Sequence, residues 1–186
     1  MTRLFALVVA VALGIIGSVL SATSAHAAPY ESWQFRQGTV CVQTGGSVYW
    51  PITQATAAWN KTDVQVVADK TCAGYPRNRT IVFKAYDDPK DVACAKTGSN
   101  SYSWEYVTYN GVKTARWVPN LMVVWVNWAA KWAPQCRATY AMRLHLMSHE
   151  LGHALGFSHN SDVSVMNGWK YQVPTTLDVK RANARY

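Results

Sequence analysis

The chain has 186 residues, room for one ordinary domain with a sizeable core. A net charge of +8 suits anionic surroundings, but the basic residues are spread from Arg36 to Arg185 and no nucleic-acid motif accompanies them, so a nucleic-acid partner is not expected. Four cysteines with no Cys-x-x-Cys pair argue against zinc ribbons and thioredoxin-like redox sites.

Arg3, the apolar run Leu4–Leu20 and the small residues ending in Ala25-His26-Ala27 have the order of a secretory signal peptide cut after Ala27. No later segment is apolar and long enough to cross a bilayer, so the expectation is a secreted, extracellular domain over residues 28–186 with no membrane attachment after cleavage. Cys41, Cys72, Cys94 and Cys136 all lie in that part. An even count in an exported chain predicts two disulfides, with three connectivities open and the sequential pairs Cys41–Cys72 and Cys94–Cys136 preferred because they close moderate loops.

The elements follow in order. A short strand is expected at Gly38–Val42, then a helix with Pro51 near its first turn and Ile52, Ala55 and Trp59 on one face. Val64–Val67 and Thr80–Tyr86 read as strands, the second alternating Ile81, Phe83 and Ala85. Asp87, Asp88 and Asp91 follow and offer either a calcium site or a solvated turn. Tyr102–Tyr109 and Val112–Val118 read as a hairpin because Asn110-Gly111 favours the tight primed turn. Leu121–Val126 is continuously apolar, the mark of a strand buried on both faces. From Ala138 to about Leu155, Leu144, Met147, Leu151 and Leu155 recur at helical spacing, and a last helix is expected from Thr175-Thr176 to Tyr186. Strands, a hairpin and three helices make an α+β domain.

The chemistry sits in His149-Glu150-Leu151-Gly152-His153-Ala154-Leu155-Gly156-Phe157-Ser158-His159. Positions four apart share a helix face, so His149 and His153 can put two imidazoles on one ion. Gly156 can take a positive φ, end the helix and turn the chain back, which lets His159 supply a third ligand. Glu150 points about 100° round the helix and stands beside the open position rather than in it. Three nitrogens with an open fourth position are the plan of a catalytic zinc, which lowers the pKa of a water and polarises a carbonyl while Glu150 takes the proton. His145 competes as a ligand, being four residues before His149, but that choice strands His153 and leaves Gly156 without a role.

His149-Glu150-x-x-His153-x-x-Gly156-x-x-His159, followed by Ser164-Val165-Met166-Asn167, resembles the metzincin signature with its Met-turn, and among metzincins the matrixins. The resemblance implies a twisted mixed sheet with three helices, an active-site helix, and a small C-terminal subdomain after Gly156. It implies Met166 packed beneath one catalytic Zn2+, and a zinc endopeptidase acting on a protein or peptide substrate as a monomer. Gly168 stands where astacin-like enzymes carry a tyrosine ligand, and no pro-domain or cysteine latency motif accompanies the signature. Calcium, frequent in matrixins, would fall to Asp87, Asp88 and Asp91. Two other readings compete: a narrow-target peptidase acting on a cell-surface or cell-wall peptide, and a catalytically silent binding protein that keeps the metal for stability.

Overall fold

The computed structural model describes residues 30–109, 111–128 and 137–186. Among these, seven strands and three helices run in the order β1 (Val40–Gln43), α1 (Ile52–Trp59), β2 (Val66–Asp69), β3 (Thr80–Tyr86), β4 (Ala95–Ser99), β5 (Tyr102–Tyr109), β6 (Val112–Pro119), β7 (Met122–Asn127), α2 (Tyr140–Ala154) and α3 (Thr176–Arg185). The expected signal peptide lies outside the described residues.

Five strands form one sheet in the order β2-β1-β3-β7-β4, in which β2, β1, β3 and β7 are parallel and β4 runs antiparallel along β7 at the edge. β5 and β6 form a separate two-stranded sheet, whose further β-pairing among the described residues is an isolated bridge from Trp33 to Trp117. The domain is therefore mixed α and β, with a mostly parallel sheet. The apolar run read for β7 is explained by its place between two neighbours: Met122, Val124 and Val126 join the main core while Val123 is buried on the opposite face.

β4 is the strand that sequence reading misses. Ala95-Lys96-Thr97-Gly98-Ser99 has no apolar alternation, because an edge strand facing a cleft needs none. Its extended form comes from pairing with β7, Ala95 opposite Val126 through Ser99 opposite Met122. The other strands fall within two residues of their expected starts.

Helices α1 and α2 cover one face of the sheet. Ile52, Ala55 and Trp59 of α1 meet Met147 and Leu151 of α2, Leu155 at its C-terminal cap, and Val40, Val42, Ile81 and Met122 of the sheet in a single core. Trp59 also crosses between the helices by donating its indole N–H to the Ser148 carbonyl at 2.8 Å. Cys41 of β1 is bonded to Cys72, just past β2, with Cα atoms 5.9 Å apart. Cys136, the expected partner of Cys94, lies outside the described residues, and no described cysteine is free. Asn110 of the hairpin turn is also outside them, and Gly111 beside it has the positive φ of +77° that the turn requires.

Candidate metal centre

Helix α2 begins on Thr139, whose hydroxyl accepts from the Met142 N–H, and it ends where the sequence places its stop. Gly156 has φ +83°; its N–H donates to the His153 carbonyl at 2.8 Å, and the Phe157 N–H reaches the Gly152 carbonyl at 3.0 Å. This pair of bonds is the Schellman reversal. Phe157 then stacks on Trp59 with ring centroids 5.3 Å apart, and the chain doubles back along the helix it has just left.

The reversal brings His159 to the two helical histidines. His149 Nε2 lies 3.0 Å from His159 Nε2, and His153 Nε2 lies 3.1 Å from the same atom. The outer nitrogens fix what those inner atoms are. His149 Nδ1 meets the Val165 carbonyl at 2.9 Å and His153 Nδ1 meets the Phe157 carbonyl at 2.8 Å. A carbonyl only accepts, so each Nδ1 donates, and in a neutral ring the Nε2 is then a lone pair. The rings stay neutral because burial pushes His149 down to about 3 and His153 down to about 4, the neighbouring histidines adding to the effect.

Two lone pairs aimed at a third ring cannot satisfy one another, since His159 Nε2 carries at most one proton. A cation satisfies all three. Zinc–nitrogen bonds of ~2.0–2.1 Å put tetrahedral neighbours ~3.3–3.4 Å apart, a few tenths of an ångström from the distances here. Outer-nitrogen hydrogen bonds to backbone carbonyls are also the usual way in which a ligating imidazole is oriented. The donor set therefore fits the zinc that the sequence pattern implies.

His145 stands apart from this trio. Its Nδ1 is hydrogen-bonded to the Tyr171 carbonyl and its ring lies 4.6 Å from that of Trp169, so it fastens the segment after Met166 against α2. Burial is the main reason its pKa falls below the ordinary histidine value.

Glu150 is 5% exposed and accepts from the Thr97 hydroxyl at 2.5 Å. The same hydroxyl lies 3.2 Å from the Glu150 backbone carbonyl. Burial pushes the Glu150 carboxyl up to about 7, with the Thr97 hydrogen bond pulling the other way. Thr97 comes from β4, and nothing in its own stretch of sequence marks it.

Met166 is buried, and its sulfur packs against Gly152 so closely that a Cβ there would collide with it and with Trp59. Beneath it, Asn167 N–H closes a turn onto the Ser164 carbonyl at 3.0 Å. Asp178 of α3, fully buried, holds this turn from below. It accepts from the Ser164 hydroxyl at 2.5 Å, the Val165 N–H at 2.8 Å and the Thr175 N–H at 2.8 Å. Val165 thereby links Asp178 to His149. In the sequence Asp178 shows only as an acid in a first helical turn.

The histidines and Glu150 line a cleft of about 630 Å³, walled by residues 93–97 along β4, by His145 and Leu146 of α2, by Gly168 and Trp169, and by Glu31 and Trp33 from the N-terminal segment. Among the described residues the only other three-ligand group is Cys41, Asp69 and Cys72, whose cysteines are bonded to each other. Asp87, Asp88 and Asp91 are not gathered in this way. Asp88 accepts from the N–H groups of Lys90 and Asp91, and Asp91 accepts from Tyr86, Lys96 and the Ala93 N–H. No protein-family model and no curated protein matches the chain.

Proposed function

We propose that this chain is a secreted zinc-dependent endopeptidase of the metzincin kind, hydrolysing peptide bonds in a protein or peptide substrate. The observation that carries the reading is the meeting of three imidazole nitrogens, two of them fixed as lone pairs, beside a buried carboxylate in an open cleft. Zinc held by His149, His153 and His159 would supply Lewis-acid polarisation of a substrate carbonyl and a water of lowered pKa.

The chain's own residues account for the rest. Glu150 takes a proton from a water in the cleft and returns it to the departing amine. Burial, which raises its pKa above the ordinary carboxylate value, favours its holding that proton between the two transfers. Thr97 holds one carboxylate oxygen and leaves the other for that transfer. β4 ends the sheet, so its outer edge can take an extended peptide as an added strand along the cleft wall. An intact Glu150 favours this reading over a silent, metal-stabilised binder, in which that buried acid would have no work.

The test is a zinc-loaded preparation incubated with a mixed peptide library, beside Glu150→Ala with its metal content measured. Wild-type protein should cleave internal bonds, and the variant should keep zinc but lose turnover by ~10²–10⁴ or more. Turnover by a folded, zinc-loaded variant equal to that of wild type would refute the proposal.

A further inference from the structure

The β5–β6 hairpin is not needed to close the main sheet. Ser99 at the end of β4 lies opposite Met122 at the start of β7, so a tight turn could join them. Instead residues 100–121 leave the sheet and return as a two-stranded ribbon. Isolated ribbons of this kind are marginal in water, and this one buries only one of its faces, through Val107 and Val118. The opposite face carries Trp104, Tyr106 and Trp117, which are 60%, 69% and 43% exposed. Trp104 and Trp117 are cross-strand partners with ring centroids 5.0 Å apart. Clustered exposed aromatics on one face of an inserted element mark a binding surface more often than an accident of packing.

This face continues from the cleft. Trp33, which forms part of the cleft wall, pairs with Trp117 in a β-bridge and sets its ring 5.7 Å from that of Tyr102. The Gln34 N–H donates to the Trp117 carbonyl at 2.9 Å and locks the junction. Trp33, Tyr102 and Trp117 with Ser32 line a second hollow of about 390 Å³, which shares Trp33 with the cleft. A chain leaving the cleft past Trp33 therefore meets that hollow first and the Trp117–Trp104–Tyr106 face next.

The rings also say what kind of chain. Trp104 and Trp117 are inclined at 65°, and Trp33 and Tyr102 at 41°. Rings so tilted make no flat platform for a row of sugars, whereas they leave niches between them for single apolar or aromatic side chains. We propose that the outer face of the β5–β6 hairpin is an exosite that binds the substrate polypeptide beyond the cleft through its apolar and aromatic side chains. This rests on the endopeptidase reading and gives long polypeptides an advantage in KM that short peptides lack.

The experiment compares wild type with Tyr106→Ser, which leaves the tryptophan pair intact, and with Trp104→Ser/Tyr106→Ser. Each is assayed on casein and on a peptide of about six residues, which spans only ~20 Å. Both variants should lose kcat/KM on casein, the double one about tenfold and through KM, with the short peptide cleaved as by wild type. Equal losses on both substrates, or none on casein, would overturn the exosite and leave the peptidase reading standing. Binding of fluorescent casein to Glu150→Ala, with and without the hairpin changes, decides the matter even where no cleavage occurs. Weakening by the hairpin changes supports the exosite, and unchanged binding overturns it. Retention on insoluble polysaccharide that the double variant loses, with casein binding unaltered, would instead make the face a glycan site.

Discussion

Glu150 and Thr97 are separated by 53 positions, and their hydrogen bond decides how the acid is presented. A hydroxyl proton on one carboxylate oxygen orients the group and leaves the other oxygen toward the cleft. Thr97→Val keeps the shape of the side chain and removes that proton. It should lower kcat about tenfold with KM little changed, since a lost hydrogen bond to a charged group is worth ~1.5–3 kcal/mol. Thr97→Ser should restore most of the rate, which a merely structural role for the β-branched side chain would not allow; equal activity of the valine and serine variants would remove Thr97 from the site. The histidines allow a sharper division. His153→Ala and His159→Ala should each lose zinc, whereas His145→Ala should keep it stoichiometrically, because the His145 Nδ1 is held by the Tyr171 carbonyl and its ring, 5.5 Å from that of His149, adds no nitrogen to the converging group. Metal analysis of the three purified variants checks this, and zinc lost only with His145 would reverse the assignment. The trio was legible because its spacing is local to one helix and one turn. Thr97 was not, since a polar threonine in an edge strand looks the same whether it faces water or a carboxylate.

At the scale of elements, the site is held by joints between them. α3 is short and polar, yet its Thr175 cap and Asp178 carry a hydrogen-bonded path through Val165 to His149. A capping box ordinarily secures one helix end; here its acid also accepts from the Ser164 hydroxyl and the Val165 N–H of the turn that carries Met166. Asp178→Ala would leave those donors buried without an acceptor. It should cost about 2–4 kcal/mol in urea unfolding and weaken zinc binding, although Asp178 is no ligand. Stability and zinc affinity both within error of wild type would show that the joint is ornamental. Gly156 is the second joint. Its φ of +83° and the nearness of the Trp33 carbonyl, 2.8 Å from where a Cβ would sit, leave no room for alanine. That glycine and the Asn-Gly hairpin were readable because each turn has a strict chemical requirement. β4 was unreadable for the opposite reason: its conformation is imposed by β7, and its composition follows the cleft it faces.

For the molecule as a whole, burying imidazoles and a carboxyl together shapes the response to acid. In the metal-free protein His149 and His153 take up protons only near 3 and 4, against 6.5 in the unfolded chain. Folded values below unfolded ones mean that their contribution is present above 6.5 and is lost as pH falls toward 4. Glu150 acts in the other sense. Its folded value of about 7 lies above the ordinary 4.5, so its contribution is present below 4.5 and is lost as pH rises through 7. Between 4.5 and 6.5 two groups oppose one, and the unfolded chain holds about one proton more. Stability of the metal-free protein should therefore rise across that window, by at most ~1.4 kcal/mol per pH unit, and level off near 6.5 where the histidines stop contributing. His145, also lowered by burial, acts in the same direction and steepens the rise beyond what those three groups give. Bound zinc should steepen it, because ligation needs neutral rings and the ion stabilises only the folded state. Thermal melts at pH 4.5, 5.5 and 6.5, with chelator and with excess zinc, read both slopes. A chelated protein that melts lower at 6.5 than at 4.5 would mean that the imidazoles are not buried as neutral rings, and the case for two lone pairs aimed at His159 would fall with it.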